Sequence, residues 1–428
     1  MSDLQVIPKH HRVQVQHETD VVQGSVKWAP AKSFWFTGML FATLIGGSLT
    51  WSWSAFGVFL ASTAAVLLFG HSLGSHRKLI HDSYQCPRWL EYTLVYMGVQ
   101  VGLSGPLGLL RQHDLRDFAQ RLPDCHDYLR HRNVFWRDAW WQLNCELILD
   151  RPPKLNLEPR VANDRFYQFL ERTWMWQQLP PAIVLYMLGG WAFVFWGVCA
   201  RITAGVFGHW LVGYFAHNQG DMHFEVTGAA VQGHNIHLVS LLTMGECWHN
   251  NHHAFPGSAK LGLAPGEWDP GWWALKLMAR VGWVWGIRLP ADLPHRAVLQ
   301  PCHVDAMSMV QRAGTSLTLP ATRQWSVLWG VMREWSAHAQ RATPTISGPV
   351  ANLSPSQLRW LVGERIPFSI KRTSRRVSLQ VGEQRIDGLP AICLVWFDRG
   401  GLFRGAAIVL LPVACMVETV RSWVELPA

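Results

Sequence analysis

From Ser33 to Ser75 the chain contains no Asp, Glu, Lys or Arg, and His71 is the only ionisable side chain there. A helix needs about 20 residues to cross the hydrocarbon core of a bilayer, so the stretch is long enough to cross twice. Inside that core every backbone N–H and C=O must be satisfied by the chain itself. The reading is therefore a helical hairpin, Phe34 to Thr50 and Ser54 to His71. A second apolar block, Leu179 to Ala200, is broken by Arg201 and resumes from Ile202 to Ala216, which predicts a second hairpin. Tyr92 to Leu110 is also uncharged but carries Gly98, Gly102, Gly105, Pro106 and Gly108, which suit a buried or interfacial segment better than a lipid-facing span. It is expected not to cross, because crossing there would put His81 and His113 on opposite faces of the bilayer.

The first hairpin is flanked by Lys9, Arg12, Lys27 and Lys32 before it and Arg77 and Lys78 after it, which places both flanks in the cytosol. The formal charge of +9 then reflects basic flanks against an anionic leaflet, and no nucleic-acid partner is expected. The eight cysteines include no C-x-x-C pair, so reduced thiols are the reading. Met1-Ser2-Asp3 leads into a mostly polar segment, and a cleavable signal peptide is not expected.

Between the hairpins, Arg111 to Arg172 is polar, with amphipathic stretches such as Trp136 to Leu149 suited to the membrane surface or to capping a site. Pro270 to Ile287, rich in Trp, fits an interfacial helix. Beyond Pro294 the character changes. Ala342 to Ser354 is turn-rich, Val377 to Val381 alternates like a strand, and the apolar run Ala406 to Val417, with Pro412, is short for a span.

Chemistry enters with the histidines, 20 in 428 residues. His76 and His81 follow the second span, and a spacing of five sets them about 140° apart on an ideal helix. Such a pair serves two neighbouring ions, or one member lies beyond the helix end. A surface pair on a basic flank would look the same. In His249-Asn250-Asn251-His252-His253 the histidines at i, i+3 and i+4 share one helical face, an arrangement that binds Zn, Cu, Fe or Ni. His126 and His131 repeat the H-x4-H spacing in the polar connector, where surface or substrate head-group contacts are expected. His71 and His209 lie in or at the ends of spans, which calls for a functional role or for a neutral imidazole held by a neighbouring carbonyl. His223, His234 and His237 are reserve ligands, and Asp269-Pro270 reads as packing.

The string Gly245-Glu246-Cys247-Trp248-His249-Asn250-Asn251-His252-His253-Ala254-Phe255-Pro256 resembles the last histidine box of membrane acyl-CoA desaturases, and His76 to His81 resembles their first. The order of hairpin, box, connector, hairpin and box also agrees, over roughly residues 34 to 290. The resemblance implies an all-α membrane protein with four transmembrane helices in two hairpins, a cytosolic helical cap carrying the boxes, two non-haem irons (Fe2+/Fe3+), O2 as co-substrate and a fatty acyl chain in a hydrophobic tunnel. The middle box departs from the family's H-x-x-H-H: His113 keeps the first position, but Arg116 and Asp117 stand at the second and third. Asp117 is able to ligate iron, whereas Arg116 stays protonated. His217 matches a further family histidine, and Gly213 stands where a water-mediated asparagine would be. The expected ligand set is His76, His81, His113, Asp117, His217, His249, His252 and His253, with Glu246 and Asp114 orienting imidazole N–H groups.

No G-x-G-x-x-G after a strand and no C-x-x-C-H is present, so electrons are expected from a separate ferredoxin, rubredoxin or cytochrome b5. The acyl group would be carried on CoA, acyl carrier protein or lipid. Residues 1–33 are read as a cytosolic segment, 34–290 as the desaturase-like domain and 291–428 as an extension of α+β character. A multi-pass protein of a bacterial inner membrane is expected, since Pro427-Ala428 offers no ER-retrieval signal. Hydroxylation or another oxygenation on the same scaffold, and a non-catalytic metal-binding membrane protein, are the competing readings.

Overall fold

The computed structural model describes residues 12–303 and 306–313 and four short strands at 345–347, 369–371, 378–381 and 384–387. The chain divides into two units, residues 1–275 with 286–316, and residues 276–285 with 317–428. In the second unit the four strands form one sheet. Ser378–Val381 pairs antiparallel with both Gln384–Asp387 and Thr345–Ser347, and Ser369–Lys371 runs parallel to Thr345–Ser347. The alternating stretch near Val377 is thus a strand. Ala406 to Val417 lies outside the described residues.

The first unit is helical with short edge strands. The segment before the first apolar helix is not a loose tail: β1 (Val13–Gln14) and β2 (Asp20–Trp28) pair antiparallel with β4 (Lys154–Leu155) and β3 (Cys145–Arg151) of the connector. The stretch Trp136 to Leu149 is accordingly helix up to Asn144 and strand from Cys145. The helices are α1 (Pro30–Phe41), continued by a π-helical segment to Gly47, and α2 (Trp53–Ala65), continued as a π-helix over Val66–Ile80. They continue with α3 (Arg88–Val99), α4 (Pro106–Gln120), α5 (Asp127–Arg130), α6 (Phe135–Asn144), α7 (Pro159–Ala162) and α8 (Arg165–Thr173). Then come α9 (Leu179–Val194), a π-helical turn, α10 (Arg201–Asn218), α11 (His249–Ala254) and α12 (Pro270–Arg280). Tyr92 to Leu110 separates into α3 and α4.

Two helical stretches, Trp53–Ile80 and Trp176–Asn218, are long and apolar enough to cross a membrane. Leu44, Ile45, Leu49, Trp53, Leu60, Ile183, Val184 and Met187 are exposed along the apolar helices, which suits contact with an apolar partner or lipid. The second hairpin breaks elsewhere than the charge at Arg201 suggests. The chain leaves helical geometry at Gly189 and Gly190, the latter at φ 64°, a left-handed conformation that glycine adopts without a Cβ clash. Arg201 sits inside the helix instead. It is buried, and its guanidinium donates to the carbonyls of Gly197 (2.7 Å) and Gln100 and to Gln178 Oε1 (2.9 Å). A cation so bonded does not end a helix.

Arg77 and Lys78 also depart from expectation, being 1% and 2% exposed rather than turned to a leaflet. Arg77 donates to Asp269 Oδ1 (2.8 Å) and the Ala259 carbonyl (2.9 Å) and lies 3.2 Å from Glu246 Oε1; Lys78 reaches Asp82 Oδ1 at 2.6 Å. Arg12 likewise plugs inward, onto the Ile80 carbonyl (2.6 Å), Asp114 (3.2 Å) and Glu158 (2.9 Å). These cations fasten the π-helical continuation of α2 to α4 and to the segments around Asp82, Glu158, Glu246 and Asp269. Asp269 is more than packing, because it also accepts from the N–H groups of Leu261, Gly262 and Trp272. The six cysteines among the described residues are free.

Candidate metal centre

The backbone decides where the histidines meet. Past Ala65 the helix is wound as a π-helix, and the His81 N–H bonds the His76 carbonyl five residues back at 3.0 Å. A π-turn takes about one residue more than an α-turn, so a spacing of five comes close to a full revolution. The 140° separation of an ideal helix is therefore closed, and the two rings lie 4.8 Å apart. Gly70 and Gly74 let this segment press against α3, where a Cβ would lie 2.3 Å from the Met97 carbonyl oxygen and 2.2 Å from that of Leu94. Helix α4 begins at Pro106, with the Glu171 carboxylate accepting from the Leu107 and Gly108 N–H groups at 2.9 and 3.0 Å, a favourable charge at a helix N-terminus. That anchoring presents His113.

His76, His81, His113 and His252 form one group and His217, His249 and His253 a second; within each group one ligand atom per residue lies within 4.8 Å of the others. The last box does not converge on one ion. His252 turns to the first group and His249 and His253 to the second, so the short helix α11 stands between them. Its two asparagines build the support. Asn250 accepts from the His223 and Phe224 N–H groups and donates to the Phe224 and Gly233 carbonyls, while Asn251 donates to the Leu261 carbonyl and to Glu267.

The donor set fits metal ions. In the second group the three Nε2 atoms are 3.0, 3.1 and 3.4 Å apart. His217 Nδ1 donates to the Gly213 carbonyl at 2.7 Å, which leaves its Nε2 with a bare lone pair. Ligands about 2.1 Å from one ion would be separated by about 3.0 Å at right angles and about 3.4 Å at tetrahedral angles. In the first group, buried nitrogens of His81 (Nε2) and His252 (Nδ1) find no hydrogen-bond partner, which is unusual for buried polar atoms unless something else binds them. Burial, reinforced by neighbouring imidazoles, pushes His81, His252 and His253 well below the ordinary histidine range and His249 down to about 3. Neutral imidazole is the ligand form.

Of the supporting carboxylates, Glu246 behaves as expected, with Oε2 at 2.6 Å from His76 Nδ1. Burial pushes its carboxyl up, but His76 and Arg77 outweigh this and hold it below the usual range. Asp114 does not orient His113, from whose Nδ1 it is 3.7 Å away; it faces Arg12. Asp117 lies outside both groups, four residues past His113 on α4, and accepts from Arg121 at 2.6 Å. Its charge is felt at His249 and His253.

His131 falls outside the sequence expectation. It is 2% exposed, with its ring parallel to His217 at 5.5 Å between centroids. Its Nδ1 lies 3.0 Å from Asp138 Oδ2, which also accepts from Trp210 Nε1 at 2.7 Å, and its Nε2 meets Arg116. A Cβ on Gly213 would come within 3.0 Å of His131 Nε2. Two of the three departures from the family pattern, Arg116 and Gly213, thus lie beside this ring. The H-x4-H spacing was the only hint of it. His126 instead caps α5 by accepting from the Tyr128 N–H. His223 pairs with Glu267, His234 with the Gly220 carbonyl and His237 with Asp221, and none joins a metal group.

No family model matches the chain. Individual proteins do. It is 34% identical over 268 residues to the sn-1 stearoyl-lipid 9-desaturase of Anabaena variabilis, covering 60% of this chain and 94% of that one. It is 32% identical over 253 residues to the sn-2 palmitoyl-lipid 9-desaturase of a Nostoc species, covering 58% and 86%. To the acyl-CoA 5-desaturase of Anemone leveillei it is 30% identical over 261 residues, covering 60% and 79%. With two neighbouring histidine groups and these relatives matched over most of their own length, the chain belongs to the fatty-acid desaturase family.

Proposed function

We propose that this membrane protein is an oxygen-dependent fatty acyl desaturase whose two histidine groups hold a pair of irons. The observation that carries this is the division of the last box, His252 to one group and His249 with His253 to the other, which sets two ligand groups side by side on one short helix. A single structural zinc would need only one of them. When bound, iron supplies the redox chemistry with O2 that side chains lack for removing hydrogen from an unactivated methylene.

The chain's own residues bind, orient and shield. His76, His81, His113 and His252 serve the first ion, and His217, His249 and His253 the second, with Asp117 as an eighth donor. In that role the Asp117 carboxylate, which here accepts from Arg121, would offset charge that neutral imidazoles leave in place. Glu246 fixes the His76 ring, and the Gly213 carbonyl fixes His217. The fold reading is four spans: α1 with its continuation, α2, the segment up to Gly189, and the helix from Trp191 through α10. Residues 34–290 form the catalytic domain, with 1–33 as a cytosolic segment before it and 291–428 as an extension. The cap faces the cytosol, in keeping with a bacterial inner membrane, and a ferredoxin, rubredoxin or cytochrome b5 delivers electrons there.

The test is lipid analysis by gas chromatography and mass spectrometry of cells expressing the parent or His252→Ala. A new unsaturated acyl species, formed only with O2 and only by the parent, is expected. A hydroxylated product alone would move the assignment to hydroxylation, and an unchanged lipid profile in both would contradict desaturation.

A further inference from the structure

Two histidines stand close to the first metal group without belonging to it. On α10, Gly205, His209, Gly213 and His217 recur every fourth residue and share roughly one stripe. Three of the four are seen to face the protein interior. A Cβ on Gly205 would lie 3.0 Å from Val101, Gly213 faces His131, and His217 joins the second metal group. His209 is on that same stripe and yet exposed, so its ring is not filled in by neighbouring side chains. Across from it, at 5.2 Å between centroids and nearly perpendicular, is His71. The other face of His71 lies parallel to the ligand His76 at 6.4 Å.

The pair lacks the hydrogen bonds that such groups require. His71 Nδ1 is buried without a partner, and so is the hydroxyl of Thr63, further back on the same span. Neither ring is hydrogen-bonded by any described residue, so of the two readings of these histidines, a functional role or an imidazole held by a carbonyl, the second is not what forms. A plain hydrocarbon chain entering here would leave these nitrogens unsatisfied, at an unfavourable cost. Each neutral imidazole offers one donor and one acceptor, a match for a hydroxyl or a carbonyl oxygen.

We propose that His71 and His209 form a polar subsite beside the metal centre that recognises an oxygen-bearing carbon, a hydroxyl or keto group, on the acyl chain a short distance from the carbons oxidised. This rests on the desaturase reading and adds a substrate class to it: oxygenated acyl chains. The reaction that supplies the substrate is then one that leaves a hydroxyl or keto group within the chain.

The experiment compares stearoyl esters with a positional series of hydroxystearoyl and ketostearoyl esters on the full-length, iron-loaded protein. It reads the ratio of kcat/KM for the oxygenated over the plain chain. The parent should favour at least one positional isomer, and that ratio should fall about 10- to 100-fold in His71→Leu and His209→Leu. His209→Gln, which retains a donor and an acceptor, should keep part of it. Iron content and circular dichroism of each variant separate loss of the subsite from loss of the fold. A parent that favours no oxygenated isomer, or a ratio untouched in both leucine variants, overturns the proposal. Should the loaded parent turn over no acyl chain, the desaturase reading fails on its own. The subsite is then judged by equilibrium binding of the same ester pairs, where equal affinity overturns it.

Discussion

The two histidine groups are unequal. The first has four imidazoles, His76 fixed by Glu246, and a scaffold of buried ion pairs from Arg77 to Glu246 and Asp269. The second has three imidazoles, and the departures from the family pattern lie on its side: the Gly213 carbonyl bonds His217, the Asp117 charge is felt at His249 and His253, and Arg116 meets the neighbouring His131. Its neighbour His131 lies against His217, tied to Asp138 on one side and Arg116 on the other. The difference teaches that one half of the centre keeps a common form while the other has been rebuilt around a different ring, so substitutions in the two halves should have separable effects.

The largest effect is expected from His252→Ala, which removes a ligand of the first group. Desaturation should fall below detection in lipid analysis, with iron lost from that group. Next is Arg77→Met, which strands Glu246 and Asp269 as buried charges. Removing one partner of such a network costs about 3–5 kcal/mol, and the drop should appear as a lower Tm of the detergent-solubilised protein, with Arg77→Lys less severe. Gly213→Asn should act on the second group alone. The added side chain collides with His131, and iron affinity there should weaken about 10- to 100-fold while the first group keeps its metal. Adding His131→Ala should restore part of that loss, which a general packing defect would not.

Acid sharpens the comparison from another direction. His249, His252 and His253 have folded-state values below the unfolded value near 6.5. Below that value the unfolded chain takes up protons that the fold refuses, so the stability of the metal-free protein should decline as pH falls from about 6.5 toward about 3. His223 has the opposite sign. Its hydrogen bond to Glu267 raises its value, so its contribution is complete below about 6.5 and is lost as pH rises through the higher folded value. Unfolding measured against pH should be dominated by the acid-side loss, and His223→Gln should remove only the smaller alkaline component.

Much of the centre was legible in the sequence, because the boxes are local strings and the apolar helices that carry them are long. Seven of the eight expected ligands are histidines, and all seven fall into the two groups. What was not legible depends on hydrogen-bond register and tertiary pairing. The spacing from His76 to His81 looks unsuited to one site until the helix is wound with five-residue bonds. Arg201 looks like a hairpin break until its guanidinium is seen to be taken up by the Gly197 and Gln100 carbonyls. Arg77 and Lys78 look like leaflet-facing charges, yet their partners Glu246 and Asp269 in one case and Asp82 in the other bury them. His131 comes from a connector whose path no local pattern reveals.

The most direct measurement is elemental analysis of the purified protein in detergent, for the parent, His252→Ala and Asp117→Ala. Close to two irons per chain are expected in the parent, with loss in His252→Ala and a partial reduction in Asp117→Ala. A single zinc, or no metal at all, in protein that is folded by circular dichroism would contradict the paired-iron centre.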